Sequence, residues 1–375
     1  MFKNSDVRYF LRNLSNIPGW RTKRKFIVLE FDDWGSIRMP SKEVFNSLLK
    51  SGIDLFNDPG FRYHKYDSLA TSEDLASLFD VLSSVKDYTD RPAVLTPVSV
   101  TCNPDFKKIR QADFTEYFYE PFTETLKRYP GCENSFALWK EGISNRLFMP
   151  QSHAREHLNV KVWMKALQKG HKNSRIAFNN EMWGISTSSD PEIKLSFQAA
   201  FDFIDSDDLI YHKEVITSGL QVFEELFGYR ATYFVPPNAR FSSQLEPICF
   251  MEGIKFLNVP KFQIESPGSI KKRLHWIGKK SSSGLRYFTR NCLFEPSLQG
   301  MDWVDRCLHD ISIAFRWQKP AVISSHRVNF VGALDKQNRD RGLKQLRFLL
   351  KQIMKNWPEA EFITSAELGE IIYNG

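Results

Sequence analysis

Residues 25–36 read KFIVLEFDDWGS, an apolar run followed at once by two acidic residues. The run is rich in β-branched and aromatic residues, which predicts a buried strand. Asp32 and Asp33 follow where this strand should end, and Gly35-Ser36 is a turn signal. In α/β proteins, functional sites are built at the carboxyl ends of the strands. The stretch therefore predicts an α/β fold with a site at the end of its first strand.

The two adjacent carboxylates suit two different tasks. Neighbouring residues in an extended segment point opposite ways, so one of Asp32 and Asp33 could bind a metal while the other moves protons. A turn or a helix N-cap is the competing interpretation, because Asp is common in both places.

Histidines at metal-ligand spacing favour the functional interpretation. His153 and His157 follow a short apolar run, and two imidazoles four residues apart can meet one metal if the segment turns helically. His326 stands at the end of a predicted buried strand over 320–325. Strands and helices alternate along the chain, which predicts a mostly parallel sheet with helices outside. If this sheet closes into a barrel, one end of the barrel would bring together Asp32, Asp33, His153, His157, Pro236, Pro237 and His326.

Bulk composition indicates an ordinary globular protein. The chain has 375 residues, of which 42% are hydrophobic and 25% are charged. No stretch approaches the roughly 20 apolar residues of a membrane span, and residues 1–25 lack the apolar core of a signal peptide. Five scattered cysteines without a CxxC pair predict reduced thiols and no cysteine metal site. We therefore expect a cytoplasmic location.

The formal net charge is +7, and the basic residues are spread along the sequence, with local clusters over 21–25 and 271–273. No nucleic-acid-binding signature accompanies the charge, so a solvated basic surface is expected and no nucleic-acid partner.

A short amphipathic helix is predicted in an extension over 1–24, because helical spacing relates Val7, Phe10, Leu11 and Leu14. Packing on its own domain is the expected role of this helix. Weak contact with the inner membrane face is the alternative.

Residues 25–375 are predicted to form a single domain. Ser41 is the predicted N-cap of a helix over 41–50, and a capping box over 364–367 opens the final helix. Residues 285–294 resemble one strand. Residues 106–145 are aromatic and poorly periodic, and we expect this excursion to cover part of the site.

The order of these pieces resembles the polysaccharide deacetylase family, also called carbohydrate esterase family 4 or the NodB-like domain. Phe31-Asp32-Asp33 looks like the first motif of that family, and residues 153–157 match its histidine pair. Its third motif resembles residues 234–238, its fourth resembles Asp302-Trp303, and its fifth resembles residues 323–326. The resemblance implies a deformed (β/α)7 barrel that removes acetyl groups from sugars with a bound divalent metal, and the long excursion lies between the first two motifs.

The resemblance also implies a role for each matching residue. Asp32 is the predicted base and His326 the predicted acid, which Asp302 would orient. The predicted metal ligands are Asp33, His153 and His157, and zinc is the expected ion. The predicted substrate-binding residues are Trp34, Pro236, Pro237, Asn238 and Trp303.

Two departures from the family pattern concern the base. Trp34 intervenes between Asp-Asp and the glycine that usually follows directly. Val235 stands where the family usually has an arginine that holds the base, and Arg240 or Arg155 is the predicted substitute.

The predicted function is metal-dependent removal of acetyl groups from a sugar or polysaccharide, in cell-surface glycan metabolism. One alternative is a degenerate member that binds glycan without turnover, which the valine at position 235 favours. Another is a glycoside hydrolase on a similar barrel that uses two carboxylates, for instance Asp32 with Glu181. The absence of a GxSxG elbow argues against a serine esterase.

Overall fold

The computed structural model describes residues 11–188, 190–193, 195–265 and 272–375. Val7 and Phe10 of the predicted N-terminal helix lie outside the described residues. Residues 11–15 are helical, and Arg12 donates to Asp310 over 2.9 Å. The described part of the N-terminal extension therefore packs on the main domain. Among the described residues, no helix combines the length and apolar character needed to cross a bilayer.

The strands of the described residues are short, except for the first. They are β1 (Lys25–Trp34), β2 (Leu95–Ser99), β3 (Cys102–Pro104), β4 (Tyr119–Pro121), β5 (Gln151–Ser152), β6 (Tyr233–Phe234), β7 (Phe256–Asn258), β8 (Phe262–Ile264), β9 (Lys272–Leu274), β10 (Arg286–Phe288), β11 (Cys292–Leu293), β12 (Ala321–His326) and β13 (Ala360–Phe362).

Helices fill most connections between these strands. They are α1 (Lys42–Lys50), α2 (Phe61–Tyr66), α3 (Ser72–Ser83), α4 (Phe106–Gln111), α5 (Phe122–Leu126), α6 (Ser135–Ser144), α7 (Val160–Gln168), α8 (Lys172–Asn179), α9 (Ser206–Phe227), α10 (Glu246–Met251), α11 (Trp303–Arg316), α12 (Lys336–Asn356) and α13 (Ser365–Asn374).

The main sheet is parallel throughout and curls into an incompletely closed barrel. Its strand order is β10-β7-β6-β5-β2-β1-β12-β11, and β13 pairs with the first residues of β1. Laid flat, this eight-strand path would be about 34 Å wide, because neighbouring strands lie about 4.8 Å apart. Yet only residues 289–291 join the edge strands β10 and β11, and that link reaches about 14 Å at most. The short link therefore forces the two edges together, and the predicted deformed barrel is confirmed as a curled parallel sheet.

β1 is the central strand of this sheet. It pairs with β12 along one side, and with β13 and then β2 along the other. All its residues after Lys25 are buried, as expected for a parallel strand covered on both faces. The register sets Asp32 of β1 opposite His326 of β12, so two predicted functional residues meet at the same end of the sheet.

Local signals mark several helix starts correctly. The Ser41 side chain accepts from the Val44 N–H at the start of α1, and Thr364 forms the predicted capping box of α13. The strand predicted over 285–294 is wrong in one respect. It is split into β10 and β11, which lie at opposite edges of the sheet.

Candidate metal and catalytic site

A cavity of about 340 Å³ opens at the carboxyl ends of the barrel strands. Most of the residues predicted for the site line it. They are Asp32, Asp33, His153, His157, Pro236, Asn238 and His326. Three basic residues that the motifs do not predict for the site, Arg38, Lys261 and Arg290, also lie in its wall.

A bulge at the end of β1 turns both adjacent carboxylates toward this cavity. The pairing of β1 with β2 shifts register between Phe31 and Trp34. Asp33 has a φ of 74°, in the left-handed region that Asp tolerates better than most residues. Simple strand alternation would send Asp32 and Asp33 to opposite faces. The bulge overrides that alternation, as bulges next to active sites often do.

The histidine pair is positioned by an irregular turn and not by a helix. The turn follows β5, and Ala154 has a φ of 75°. Nδ1 of His153 donates to the Val235 carbonyl over 2.6 Å. A carbonyl can only accept, so the proton is on Nδ1 and the lone pair of Nε2 faces the cavity. The two histidines lie close together as predicted, but the turn between them is irregular and not helical.

Asp33, His153 and His157 are buried and form a cluster that can hold a metal ion. The Oδ1 atom of Asp33 lies 3.3 Å from Nε2 of His157 and 3.9 Å from Nε2 of His153. Ligand atoms about 2.1 Å from a tetrahedral zinc ion are about 3.4 Å apart, so the spacing fits a metal of that kind. Carboxylate oxygen and imidazole nitrogen are also donors that zinc commonly takes.

The electrostatics of the cluster favour metal-binding protonation states. Burial lowers the pKa of His153 and of His157, and the charge of Arg38 lowers the pKa of His157 further. Burial by itself would raise the pKa of Asp33, but the charge of Arg38, helped by that of His326, brings it below its usual value. The cluster thus offers two neutral imidazoles and one carboxylate, the forms in which these side chains bind metals.

Arg38 makes this cluster more positive than the three ligands alone. Its Nη2 atom donates to Oδ1 of Asp33 over 3.2 Å, and its Nη1 atom donates to Gln198 over 3.0 Å. Its Nε atom lies 3.7 Å from the buried Asp67 carboxylate. Arg38 follows the turn after β1 and belongs to no motif, so only its place in the fold reveals it.

Arg290, and neither of the two predicted substitutes, is the arginine that contacts Asp32. It donates to both oxygens of Asp32 over 2.5 Å, and its Nε atom donates to Glu30 over 2.6 Å. This bidentate geometry fixes the plane of the Asp32 carboxylate. Arg155, a predicted substitute, instead donates to Glu156 over 2.7 Å. Arg240, the other one, has no hydrogen bond or ion pair to Asp32 among the described residues.

His326 is held by Glu295 and not by Asp302. Nδ1 of His326 lies 2.5 Å from Glu295, and Nε2 lies 3.9 Å from Asp32. Burial opposes charging of the ring, but the Glu295 charge and hydrogen bond, helped by Asp33 and Asp32, raise the pKa of His326 to about 9. Glu295 in turn accepts from Arg62 over 2.6 Å.

The predicted pairing of Asp302 with His326 is not found among the described residues. Asp302 is the N-cap of α11 and accepts from the Asp305 N–H over 2.9 Å. Trp303 is buried in the core and donates from Nε1 to the Leu298 carbonyl. This part of the fourth motif therefore begins a helix and contributes no residue to the cavity wall.

Two other predicted substrate-binding residues also lie outside the cavity wall. Trp34 is 1% exposed and packs edge-on against Trp139 and Phe148, so it is a core residue. Pro237 is buried at the start of a single 3₁₀ turn, while its neighbours Pro236 and Asn238 reach the cavity.

The excursion over 106–145 contributes no residue to the cavity wall. Its Tyr117 donates to Glu156 and thus contacts the histidine turn from outside the cavity. Arg38 and Tyr63, from the connection between β1 and α3, line the cavity where the excursion was expected. Glu181, the second carboxylate of the glycosidase alternative, is exposed and lies outside the cavity wall.

No protein family model and no curated protein matches this sequence. Among solved structures, the chain is similar to 4-alpha-glucanotransferase from Thermococcus litoralis, at 12% identity and a TM-score of 0.48. That match covers 92% of this chain and 40% of the other, so this chain spans less than half of its length.

The chain is also similar to a Mycobacterium smegmatis protein assigned as a polysaccharide deacetylase, at 9% identity and a TM-score of 0.45, over 95% of this chain and 93% of the other. A GH57-type branching enzyme from Pyrococcus horikoshii matches at 10% identity and a TM-score of 0.46, over 93% and 70%. With these low scores, the roles of individual residues rest on the geometry alone.

Proposed function

We propose that this protein is a metal-dependent hydrolase that removes acetyl groups from a sugar or polysaccharide. The observation that carries the proposal is the convergence of three groups in one cavity. These are the cluster of Asp33, His153 and His157, the Asp32 carboxylate held by Arg290, and the His326 ring held by Glu295. With a metal bound, these groups would supply an electrophilic centre, a base and an acid, the combination that metal-assisted hydrolysis of an acetyl group uses.

Asp33, His153 and His157 would hold the metal, and three protein ligands leave a coordination position open. The ion would polarise the acetyl carbonyl and lower the pKa of water from 15.7 to about 7. Zinc remains the expected ion because the donor set and the spacing of the ligand atoms suit it.

Asp32 is the proposed base. Its carboxylate lines the cavity next to the metal cluster, and Arg290 fixes both of its oxygens, so its approach to a water molecule is defined. Asp32 therefore takes the proton that the attacking water gives up.

His326 is the proposed acid. A pKa of about 9 keeps its ring protonated at neutral pH. Glu295 engages Nδ1, so the proton that His326 can deliver is the one on Nε2, which faces Asp32. Protonating the departing amine or alkoxide in this way is worth about 100- to 10,000-fold in rate.

The two alternatives lose their main support. The glycosidase alternative needs two carboxylates across the scissile bond, and Glu181 lies outside the cavity. The non-catalytic alternative rests on the missing third-motif arginine, and Arg290 supplies a guanidinium to Asp32. A sugar is proposed as the substrate because of the motif resemblance. The third motif forms a groove wall in that family, and its counterparts Pro236 and Asn238 line the cavity here.

Acetate release tests this proposal. Purified zinc-loaded protein is incubated with a panel of N- and O-acetylated sugars and oligosaccharides, and acetate is measured. We expect release by the wild type and a loss of at least 100-fold in Asp32→Asn, which keeps the shape of the side chain but removes the base. Asp302→Asn is the matched control and should retain activity. No acetate from any substrate, or equal activity in Asp32→Asn, would overturn the proposal.

A further inference from the structure

One helix carries almost all of the net charge of this protein. Residues 336–356, the span of α12, contain seven Lys and Arg residues and one Asp, which gives a net charge of +6. The whole chain has a net charge of +7. The other 354 residues contribute only +1 in sum, so the excess of positive charge lies in this helix.

The cations of α12 fall into two groups. Near its start, Lys336 and Arg339 form ion pairs with Glu73, and Arg341 donates to Asn338. Lys344, Arg347, Lys351 and Lys355 further along form no ion pair among the described residues. These four side chains are exposed and recur every three or four residues, so they share one face of the helix.

An aromatic side chain lies in the middle of this face. Phe348 is 53% exposed between Arg347 and Lys351. The opposite face of α12 is fixed in the core by a row of buried aliphatic residues, namely Leu343, Leu346, Leu349, Leu350 and Ile353. The outward direction of the cations and of Phe348 is therefore set by the fold. We call Lys344, Arg347, Phe348, Lys351 and Lys355 the basic face.

We propose that the basic face binds a membrane surface that contains anionic phospholipid. Lys and Arg side chains reach the phosphates of such a surface, while an aromatic ring enters the boundary between headgroups and acyl chains. The face is about 17 Å long, because eleven steps separate Lys344 from Lys355 at about 1.5 Å each. This proposal does not depend on the proposed reaction in the cavity.

The surroundings of the basic face favour a flat partner over a polyanion that wraps around the helix. Asp80 lines the groove between α3 and α12, next to Lys344 and Arg347, whereas Asp340 in the same groove forms an ion pair with Arg339. The charge of Asp80 would repel a nucleic-acid strand that enters the groove. A layer of anionic headgroups would contact only the outermost surface of the helix, from which the cations and Phe348 project.

Vesicle sedimentation tests this proposal with the full chain. Vesicles of phosphatidylcholine alone are compared with equimolar phosphatidylcholine and phosphatidylglycerol, at low and at high salt. We expect binding to the anionic vesicles only, and weaker binding at high salt because salt screens the charges. Each cation near such a surface contributes about fivefold in affinity. The quadruple variant K344Q/R347Q/K351Q/K355Q should therefore bind at least tenfold more weakly.

A second quadruple variant controls for the loss of total charge. K107Q/K169Q/K172Q/K213Q removes four exposed lysines that form no ion pair among the described residues, and it should bind like the wild type. Phe348→Ser should weaken binding severalfold, while Phe262→Ser, at a 69% exposed position, should not. Circular dichroism checks that each variant is folded.

Three outcomes would overturn the proposal. The first is no sedimentation with anionic vesicles, and the second is equal binding by the two quadruple variants. The third is binding to heparin or single-stranded DNA without binding to vesicles, which would assign the basic face to a soluble polyanion.

Discussion

The two sides of the cavity differ in how far their residues lie from one another in the sequence. On the metal side, Asp33 lies next to two histidines that fall within five residues of one another. The register shift at the end of β1 turns the Asp33 side chain toward them. On the acid–base side, Asp32 and His326 depend on Arg290 and Glu295, which come from the connection around β11. Short motifs contain the ligands of the metal side, whereas the acid–base side also needs Arg290 and Glu295, which only the curled sheet brings to Asp32 and His326.

The largest expected effect comes from breaking the acid–base side at Arg290. Arg290→Met leaves Glu30 and Asp32 as buried carboxylates without their cation, so we expect a loss of about 3–5 kcal/mol in the free energy of unfolding. Activity should disappear while the metal cluster keeps its ligands. Denaturant unfolding and acetate release measure the two effects.

Arg290→Lys is the matched control for this change. Lysine retains the positive charge but cannot form the bidentate contact. It should recover much of the stability and little of the activity. Full activity in Arg290→Lys would show that Arg290 supplies charge only and does not position Asp32.

Glu295→Gln should have the next largest effect and should act through His326. The Glu295 charge helps to raise the pKa of His326 to about 9, so its removal lowers that pKa toward the ordinary value of about 6.5. Only about a quarter of the rings would then be protonated at pH 7. We expect the alkaline limb of the rate profile to move to lower pH and kcat at neutral pH to fall about fourfold or more.

Metal content separates this effect from a general disruption of the site. It should stay unchanged in Glu295→Gln, because Glu295 contacts the ring and not the metal cluster. An alkaline limb that stays in place would contradict the role of Glu295, whatever the loss in kcat.

A smaller effect is expected on the metal side from Gly219→Ala. A Cβ atom at position 219 of α9 would lie 2.9 Å from the backbone nitrogen of Arg155, inside the histidine turn. The turn must shift to relieve this contact, so we expect a loss of about 1–3 kcal/mol in the free energy of unfolding. Weaker zinc binding in calorimetry should accompany it. Unchanged zinc affinity would show that the turn is held independently of α9.

The smallest effect is expected for Asp302→Asn. Asparagine caps a helix about as well as aspartate, so the free energy of unfolding should change by less than about 0.5 kcal/mol. The alkaline limb of the rate profile should also keep its position, since Glu295 and not Asp302 contacts His326. A shifted limb would restore Asp302 as the partner of His326.

Local patterns predicted what local chemistry determines. The apolar run of β1, the Ser41 cap and the capping box at Thr364 depend on neighbours within four residues, and all three occur as predicted. The alternation of strands and helices predicted the parallel sheet. Asp302 shows the limit of such signals, because the same residue fits a helix cap and a catalytic partner equally well.

The residues missed are those whose roles depend on the curling of the sheet. Arg290 lies in a stretch predicted to be one strand, and its role becomes visible only because β10 and β11 lie at opposite edges of the sheet. Glu295 follows β11 without a recognisable motif. Arg38 reaches the metal cluster because the bulge at Asp33 redirects the chain. Composition and spacing contain no signal for contacts of this kind.

Metal content tests the central claim most directly. Zinc bound per chain is measured by elemental analysis after reconstitution and dialysis, for the wild type, His157→Ala and Asp32→Asn. The account predicts one zinc ion in the wild type and in Asp32→Asn, and none in His157→Ala, with all three proteins folded. Full zinc occupancy in His157→Ala, or a wild type that binds no divalent ion, would contradict it.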